Sequence, residues 1–217
     1  MNIPLLTGGA AGFGLKLDED SVSRFRIYME ELKRWNRSIN LTAIKGDDQI
    51  VIKHFLDSLA IARHIPKGAA LLDIGSGAGF PSLAVAIVRA DISVTSIDAV
   101  DKKVRFQRHI CRLLHLDNVA VIHGRVEELR QKNGDDFDIV TSRAFRDLER
   151  FAQLACNLVK GGGLMIAMKG GGYLPDDTVL QSLEERFSLK IDSAEKYSLP
   201  QGAGKRQILL LRRNIPQ

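Results

Sequence analysis

The chain has 217 residues, 45% of them hydrophobic and 26% charged, which suits one moderate domain with a real core and excludes bulk disorder. The net charge of +5 and a pI of about 9.3 favour a polyanionic partner over an acidic protein. Two cysteines, Cys111 and Cys156, sit in apolar helix-like stretches and exclude both a disulfide framework and a zinc site.

Met1 to Leu17 lacks the basic start and long apolar run of a secretory signal, so a reducing, cytoplasmic setting is expected. No apolar run approaches the roughly 20 residues that span a bilayer. Residues 8–14 are glycine-rich and read as mobile, giving a flexible N-terminus over 1–17. Asp18 or Ser21 can cap a helix beginning near 19. Val22, Phe25, Met29, Leu32 and Trp35 recur at spacings of three and four, one apolar helical stripe. Arg24, Arg26, Lys33, Arg34 and Arg37 lie mostly off it. A second apolar face follows through Ile44, Ile50, Phe55, Leu59 and Ile61. Residues 18–66 therefore read as a helical cap, with Trp35 in its core. His54 and Asp57, three apart, are placed to pair and pin the cap.

Pro66-Lys67-Gly68 is the joint. Over 67–217 strands and helices alternate: strands near 70–74, 92–97, 119–122, 137–141 and 164–168, with helices near 81–89, 101–115, 126–131, 147–159 and 176–186. The last helix of that alternation is followed by two strand-like runs, 188–197 and 206–212. The glycines 161–163 read as the stop of the helix over 147–159. This pattern predicts an α/β fold: a mainly parallel seven-stranded sheet with helices on both faces and an N-terminal helical cap.

The chemistry centres on residues 71–81. An apolar strand carries Asp73 and ends in Gly75-x-Gly77-x-Gly79, followed by Phe80-Pro81 and an apolar helix. A strand, a glycine turn and a helix form the ligand-binding corner of a doubly wound sheet. No Gly-Lys-Ser/Thr follows, so this is not a phosphate loop for ATP or GTP. Phe80 stands where a dinucleotide fingerprint needs its third glycine, which argues against a nicotinamide-dependent oxidoreductase. Asp98 ends the second strand; an acid there accepts both ribose hydroxyls of a nucleoside, although Asp98 or Asp101 can also simply cap the next helix. After the third strand, the N–H of Val126 and the side chain of Glu127 are placed to read an adenine edge. Glu128 reads as an ordinary first-turn acid. After the fourth strand comes Ser142-Arg143-Ala144-Phe145. Arg143 there can bridge to a cofactor or phosphate, or orient the rim through an ion pair. With Asp73 before it, Gly-x-Gly-x-Gly after an apolar strand resembles the first motif of Rossmann-like S-adenosylmethionine-dependent methyltransferases.

Six stretches in order carry a sharper resemblance: Arg34-Trp35-Asn36 with Ile39-Asn40-Leu41-Thr42, His54-Phe55-Leu56-Asp57-Ser58-Leu59, the corner ending in Phe80-Pro81, Lys103-Val104-Arg105-Phe106, Arg125-Val126-Glu127-Glu128, and Ser142-Arg143-Ala144-Phe145. Together they resemble the bacterial 16S ribosomal RNA (guanine-N7)-methyltransferases of the glucose-inhibited division protein B family, over roughly residues 20–212. The resemblance implies S-adenosylmethionine as methyl donor and 16S rRNA or the small ribosomal subunit as partner. By position it implies cofactor contacts at Gly75, Phe80, Val126, Glu127 and Arg143; Asp73, Gly77, Gly79 and Asp98 join them on the residue-level reading. Guanine N7 carries a lone pair and no proton, so no general base is expected. Placement of the nucleophile in line with the methyl carries the rate, with the electrophile supplied by the cofactor.

For RNA, Lys102, Arg105, Arg108 and Arg112 share one face of the helix over 101–115, and Lys169 and Arg206 extend the surface around the pocket. No metal is expected, and a monomer is the default. The competing class is a non-catalytic RNA-binding ribosome-assembly factor that retains the fold.

Overall fold

A computed structural model describes residues 1–130, 137–143, 145 and 147–214. Ala144 of the Ser-Arg-Ala-Phe stretch, and Gln131 at the expected end of the helix over 126–131, lie outside the described residues.

The chain opens with α1 (Ile3–Ala11), where the sequence suggested a mobile glycine-rich stretch. The reason is a cap and a close contact. Asn2 accepts from the Leu5 N–H and Pro4 lies in the first turn. Leu6 and Ala10 are fully buried. A Cβ at Gly9 would fall 2.3 Å from Leu56 Cδ1, so this glycine lets two helices touch. Next, α2 (Glu19–Ile39) is capped by Asp18, whose carboxylate accepts from the Ser21 N–H at 2.8 Å, and it ends at Asn40 in the left-handed region. A second helical run starts as α3 (Asp47–Ile50), winds through a π-helical turn (Val51–Leu56) and ends in the short α4 (Asp57–Leu59).

The sheet is ordered β3-β2-β1-β4-β5-β7-β6. Its strands are β1 (Ala70–Ile74), β2 (Ser93–Asp98), β3 (Val119–His123), β4 (Phe137–Ser142), β5 (Val159–Gly170), β6 (Leu189–Ser198) and β7 (Lys205–Arg213). The first five run parallel, and β7 pairs antiparallel with both β5 and β6. The helices are α5 (Ser82–Val88), α6 (Asp101–Leu113), α7 (Val126–Arg130), α8 (Leu148–Ala155) and α9 (Asp177–Phe187). The glycines expected to stop α8 instead lie inside β5, and α8 ends at Ala155. Gly163 is pressed against Asp138 O, which a Cβ would meet at 2.9 Å.

Two apolar layers form because successive strand residues face opposite ways. Leu71, Ile166 and Leu210 face one layer; Leu72, Met165 and Leu209 face the other. The first layer also holds Leu6, Phe25, Tyr28, Phe55 and Phe106, so α1, α2 and the π-turn share one core with α5 and α6. Burying each such side chain contributes about 1.5–3 kcal/mol. The joint after the cap is clamped by Arg89, which donates to Ala62 O at 2.9 Å, Ile65 O at 2.8 Å and Pro66 O at 3.1 Å. Among the described residues no helix is long and apolar enough to cross a membrane.

Candidate active site

Strand order reverses between β1 and β4, so a crevice opens at their C-terminal ends. The turn after β1 forms one wall. Gly75, Gly77 and Gly79 all have positive φ, at 71°, 62° and 94°. Two of them serve different needs. A Cβ at Gly77 would enter open space, so glycine is required there for its backbone conformation alone. A Cβ at Gly79 would strike Tyr28 Oη at 2.6 Å. That hydroxyl donates to Ala78 O at 2.6 Å and ties the turn to α2.

The turn is held from below by side chains the sequence reading passed over. Gln107, fully buried on α6, donates to Ser76 Oγ at 2.9 Å and to Gly77 O at 2.8 Å. Ser96 joins this network at 2.6 Å from Ser76 Oγ. The available signal was a glutamine three residues after Val104 and three before Ile110, on the apolar face of a helix. Asp98 accepts from the Gly77 N–H at 2.8 Å and from the Val100 N–H at 2.9 Å, locking β2 to the turn. Asp73 is fully buried beneath the turn. One of its oxygens accepts from the Ser82 N–H at 3.0 Å, and Oδ1 has no partner among the described residues. Burial pushes its pKa up to about 6.

Three cavities follow the crevice. The first, about 340 Å³, is lined by Gly75, Asp98, Val126 and Glu127. The second, about 200 Å³, is lined by His54, Gly75, Gly77, Phe80 and Arg143. The third, about 240 Å³, is lined by Lys53, Asp57, Arg143, Met168, Lys169 and Arg206, among others. Gly75 borders the first two and Arg143 the last two, so the three adjoin in a track along the crevice. Seven of the nine residues expected at a cofactor line its first two segments. Asp73 and Gly79 line neither and support the turn from behind.

The second segment is walled by the cap. The His54 ring stacks on Phe80, with centroids 4.4 Å apart and planes 6° off parallel. Arg143 lies over Phe80 at 5.5 Å and donates to Lys53 O at 2.9 Å, to His54 Nδ1 at 3.2 Å and to Asp57 at 3.3 Å. A guanidinium only donates, so His54 Nδ1 must be the acceptor. The Nε2–H then donates to Thr42 Oγ1 at 2.8 Å. Burial, reinforced by the Arg143 charge, pulls the His54 pKa down to about 3. His54 and Asp57 do not bond to each other, as the sequence suggested; they meet on Arg143. Asp57 also accepts from the Tyr197 hydroxyl at 2.8 Å and pairs with Arg206 at 3.4 Å. Lys169 is buried, donates to Phe145 O at 2.7 Å, and burial lowers its pKa. Glu127 is exposed and pairs with Arg150 at 3.3 Å.

The six basic residues expected to meet RNA fall into two groups. Lys169 and Arg206 line the third cavity. Lys102, Arg105, Arg108 and Arg112 stand on the outer face of α6 and line none of the three. Arg105 is paired with Asp101 at 2.6 Å, and Arg108 donates to Val121 O at 3.0 Å, covering the edge strand β3. Trp35 is half-buried and packs on Phe106 and His109 of α6, with ring planes inclined at 60° and 30°.

The sheet order, the glycine turn at the reversal point and the track beside it define a Rossmann-like, S-adenosylmethionine-dependent methyltransferase fold. Solved structures of that shape include the cofactor-bound Rv0187 protein from MTB, at TM-score 0.64 and 19% identity over 89% of this chain and 91% of that one. The M. jannaschii TYW2 complex with AdoMet aligns at TM-score 0.57 and 14% identity, over 72% of this chain and 73% of its own. At the level of sequence, the profile of the rRNA small subunit methyltransferase G family matches residues 21–209. The Ribosomal RNA small subunit methyltransferase G of Geotalea uraniireducens (strain Rf4) is 41% identical over 207 residues, 95% of this chain and 94% of that protein. The chain belongs to the rRNA small subunit methyltransferase G family.

Proposed function

We propose that the protein transfers a methyl group from S-adenosylmethionine to N7 of a guanine in 16S rRNA of the small ribosomal subunit, acting in the cytoplasm as a monomer. The family name supports the donor and the RNA class. The residues present fit the donor. Asp98 would take the ribose, and Val126 and Glu127 the adenine edge, since all three line the first cavity, and the open side of Gly77 would leave room for the chain beyond. S-adenosylmethionine, when bound, supplies the electrophilic methyl carbon. Gly75, Gly77, Phe80 and Arg143, which line the second cavity, would hold it and exclude water.

One observation favours N7 over an exocyclic amine. The third cavity, where the acceptor base would enter, has a single carboxylate, Asp57, and its oxygens are already engaged by Arg143, Arg206 and Tyr197. Its neighbour His54 has both ring nitrogens engaged. An amine must shed a proton when methylated; N7 has none to shed, and so asks for position alone. Mapping methylated nucleotides in small-subunit rRNA from cells with and without the protein tests this. Loss of one 7-methylguanosine, restored by the purified protein with labelled donor, is expected. A methylated base amine, or no transfer at all, would overturn the assignment.

A further inference from the structure

A further concave surface lies outside the track. It is a groove of about 820 Å³ in the cap, between the C-terminal half of α2 and the loop over 40–46. Lys33, Arg37 and Lys45 stand on its walls, and among the described residues no carboxylate lines it. Lys33 is engaged by Asp47 at 2.5 Å. Arg37 and Lys45 are exposed and have no carboxylate partner among the described residues. The loop wall is fixed: Asn36 accepts from the Thr42 N–H at 2.8 Å and donates to Thr42 O at 2.9 Å. Thr42 in turn holds His54 in the active site. Ile44 borders both this groove and the third cavity, so the groove lies beside the acceptor pocket.

A groove walled by Lys33, Arg37 and Lys45, with no carboxylate among the described residues that line it, has the electrostatics of a channel that follows a nucleic-acid backbone. Its place beside the acceptor pocket gives the strand a direction. From this we infer that the cap groove seats the sugar–phosphate backbone of the rRNA strand flanking the target nucleotide, with Arg37 and Lys45 contacting phosphates. The outer face of α6, although richer in cations, has two of its four arginines and lysines committed to Asp101 and Val121 and borders none of these cavities. The inference rests on the rRNA reading above.

The test compares the full-length protein with an Arg37→Glu/Lys45→Glu double variant and a Lys102→Glu/Arg112→Glu control of equal charge change. Equilibrium binding to unmodified small-subunit rRNA is measured over a salt series, alongside methyl transfer to intact subunits and S-adenosylmethionine affinity. The groove variant is expected to bind rRNA on the order of tenfold more weakly, with its salt slope shallower by roughly 1–2. Its KM for subunits should rise similarly, with kcat and S-adenosylmethionine affinity unchanged. The control should stay near wild type. Unchanged rRNA binding and salt slope in the groove variant would overturn the inference, as would an equal loss in the control. A raised KM for subunits with unchanged binding to naked rRNA would also overturn it and point to a ribosomal protein instead. If the wild type binds rRNA through the groove but transfers no methyl, the docking inference stands and the catalytic reading falls.

Discussion

Arg143 and His54 are 89 residues apart in sequence, yet a 3.2 Å hydrogen bond from the guanidinium to Nδ1 joins them across the Phe80 ring. The contact ties the end of β4 to the cap and fixes the histidine tautomer. Arg143→Gln leaves Lys53 O, His54 Nδ1 and one side of Asp57 without their donor. A loss of about 2–4 kcal/mol in unfolding free energy is expected, because buried partners are left unmatched. Methyl transfer should fall roughly 10²-fold through misplacement of the acceptor. Denaturant unfolding and single-turnover transfer measure both; wild-type turnover in this variant would show that the junction does not position substrate.

The glycines of the turn should separate stability from binding. Gly79→Ala meets Tyr28 Oη and strains a backbone at φ 94°, so it should cost about 1–3 kcal/mol of stability. Gly77→Ala has open space for its methyl and should cost about 1 kcal/mol. That methyl projects into the track, however, and S-adenosylmethionine affinity should drop by tenfold or more, about 1.4 kcal/mol. Calorimetry and thermal unfolding of the two variants should rank them oppositely.

Two buried groups give acid titrations of opposite sign. Asp73 has a folded pKa raised to about 6 by burial. Its contribution to stability is fully present below its ordinary value near 4 and is lost as pH rises through 6. His54, depressed to about 3 by burial and Arg143, contributes stability above its ordinary value near 6.5. That contribution is lost as pH falls toward 3. Between pH 4 and 6 the two therefore oppose each other. Asp73→Asn should make stability fall more steeply with acid over that window, and His54→Gln should make it fall less steeply. Urea unfolding at half-unit pH steps reads the slopes; identical slopes in all three proteins would refute both assignments.

Glu127 offers a test of the adenine end. Among the described residues its only ion pair is the exposed one to Arg150, and such pairs contribute about 0–1 kcal/mol. Glu127→Ala should leave the melting temperature within about 2 °C of wild type. It should weaken S-adenosylmethionine binding about tenfold, as expected for a lost charge-assisted hydrogen bond. Unchanged affinity would move the adenine elsewhere.

Strands β1 to β4 were readable because each is a short, mainly apolar run, and residues 137–141 and 119–122 needed only an extra residue at an end, whereas β5 begins five residues before the expected 164 because its glycines lie inside the strand. The turn was readable because Gly75, Gly77 and Gly79 punctuate such a run. What escaped was made by tertiary contact. Gln107 was hidden in a helix whose cations drew the eye. Asp57 looked like a local partner for His54 but is a hub for Arg143, Arg206 and Tyr197, which come from three distant strand ends. Gly9 read as flexibility because composition does not reveal that Leu56 lies against it. The cap groove escaped because a concavity belongs to two segments at once, and Arg37 and Lys45 are unremarkable singly.

The shared apolar layer beneath the cap has a consequence for how this protein can be altered. Phe25, Tyr28 and Phe55 pack with Phe80 and Phe106, and Arg89 grips the chain on the far side of Pro66. A fragment starting at 67 would bare that layer to water and is expected to aggregate. Exchanging caps between relatives to redirect RNA choice would require carrying α5 and α6 along with them. In this protein the cap and the glycine turn share one core and can be altered only together.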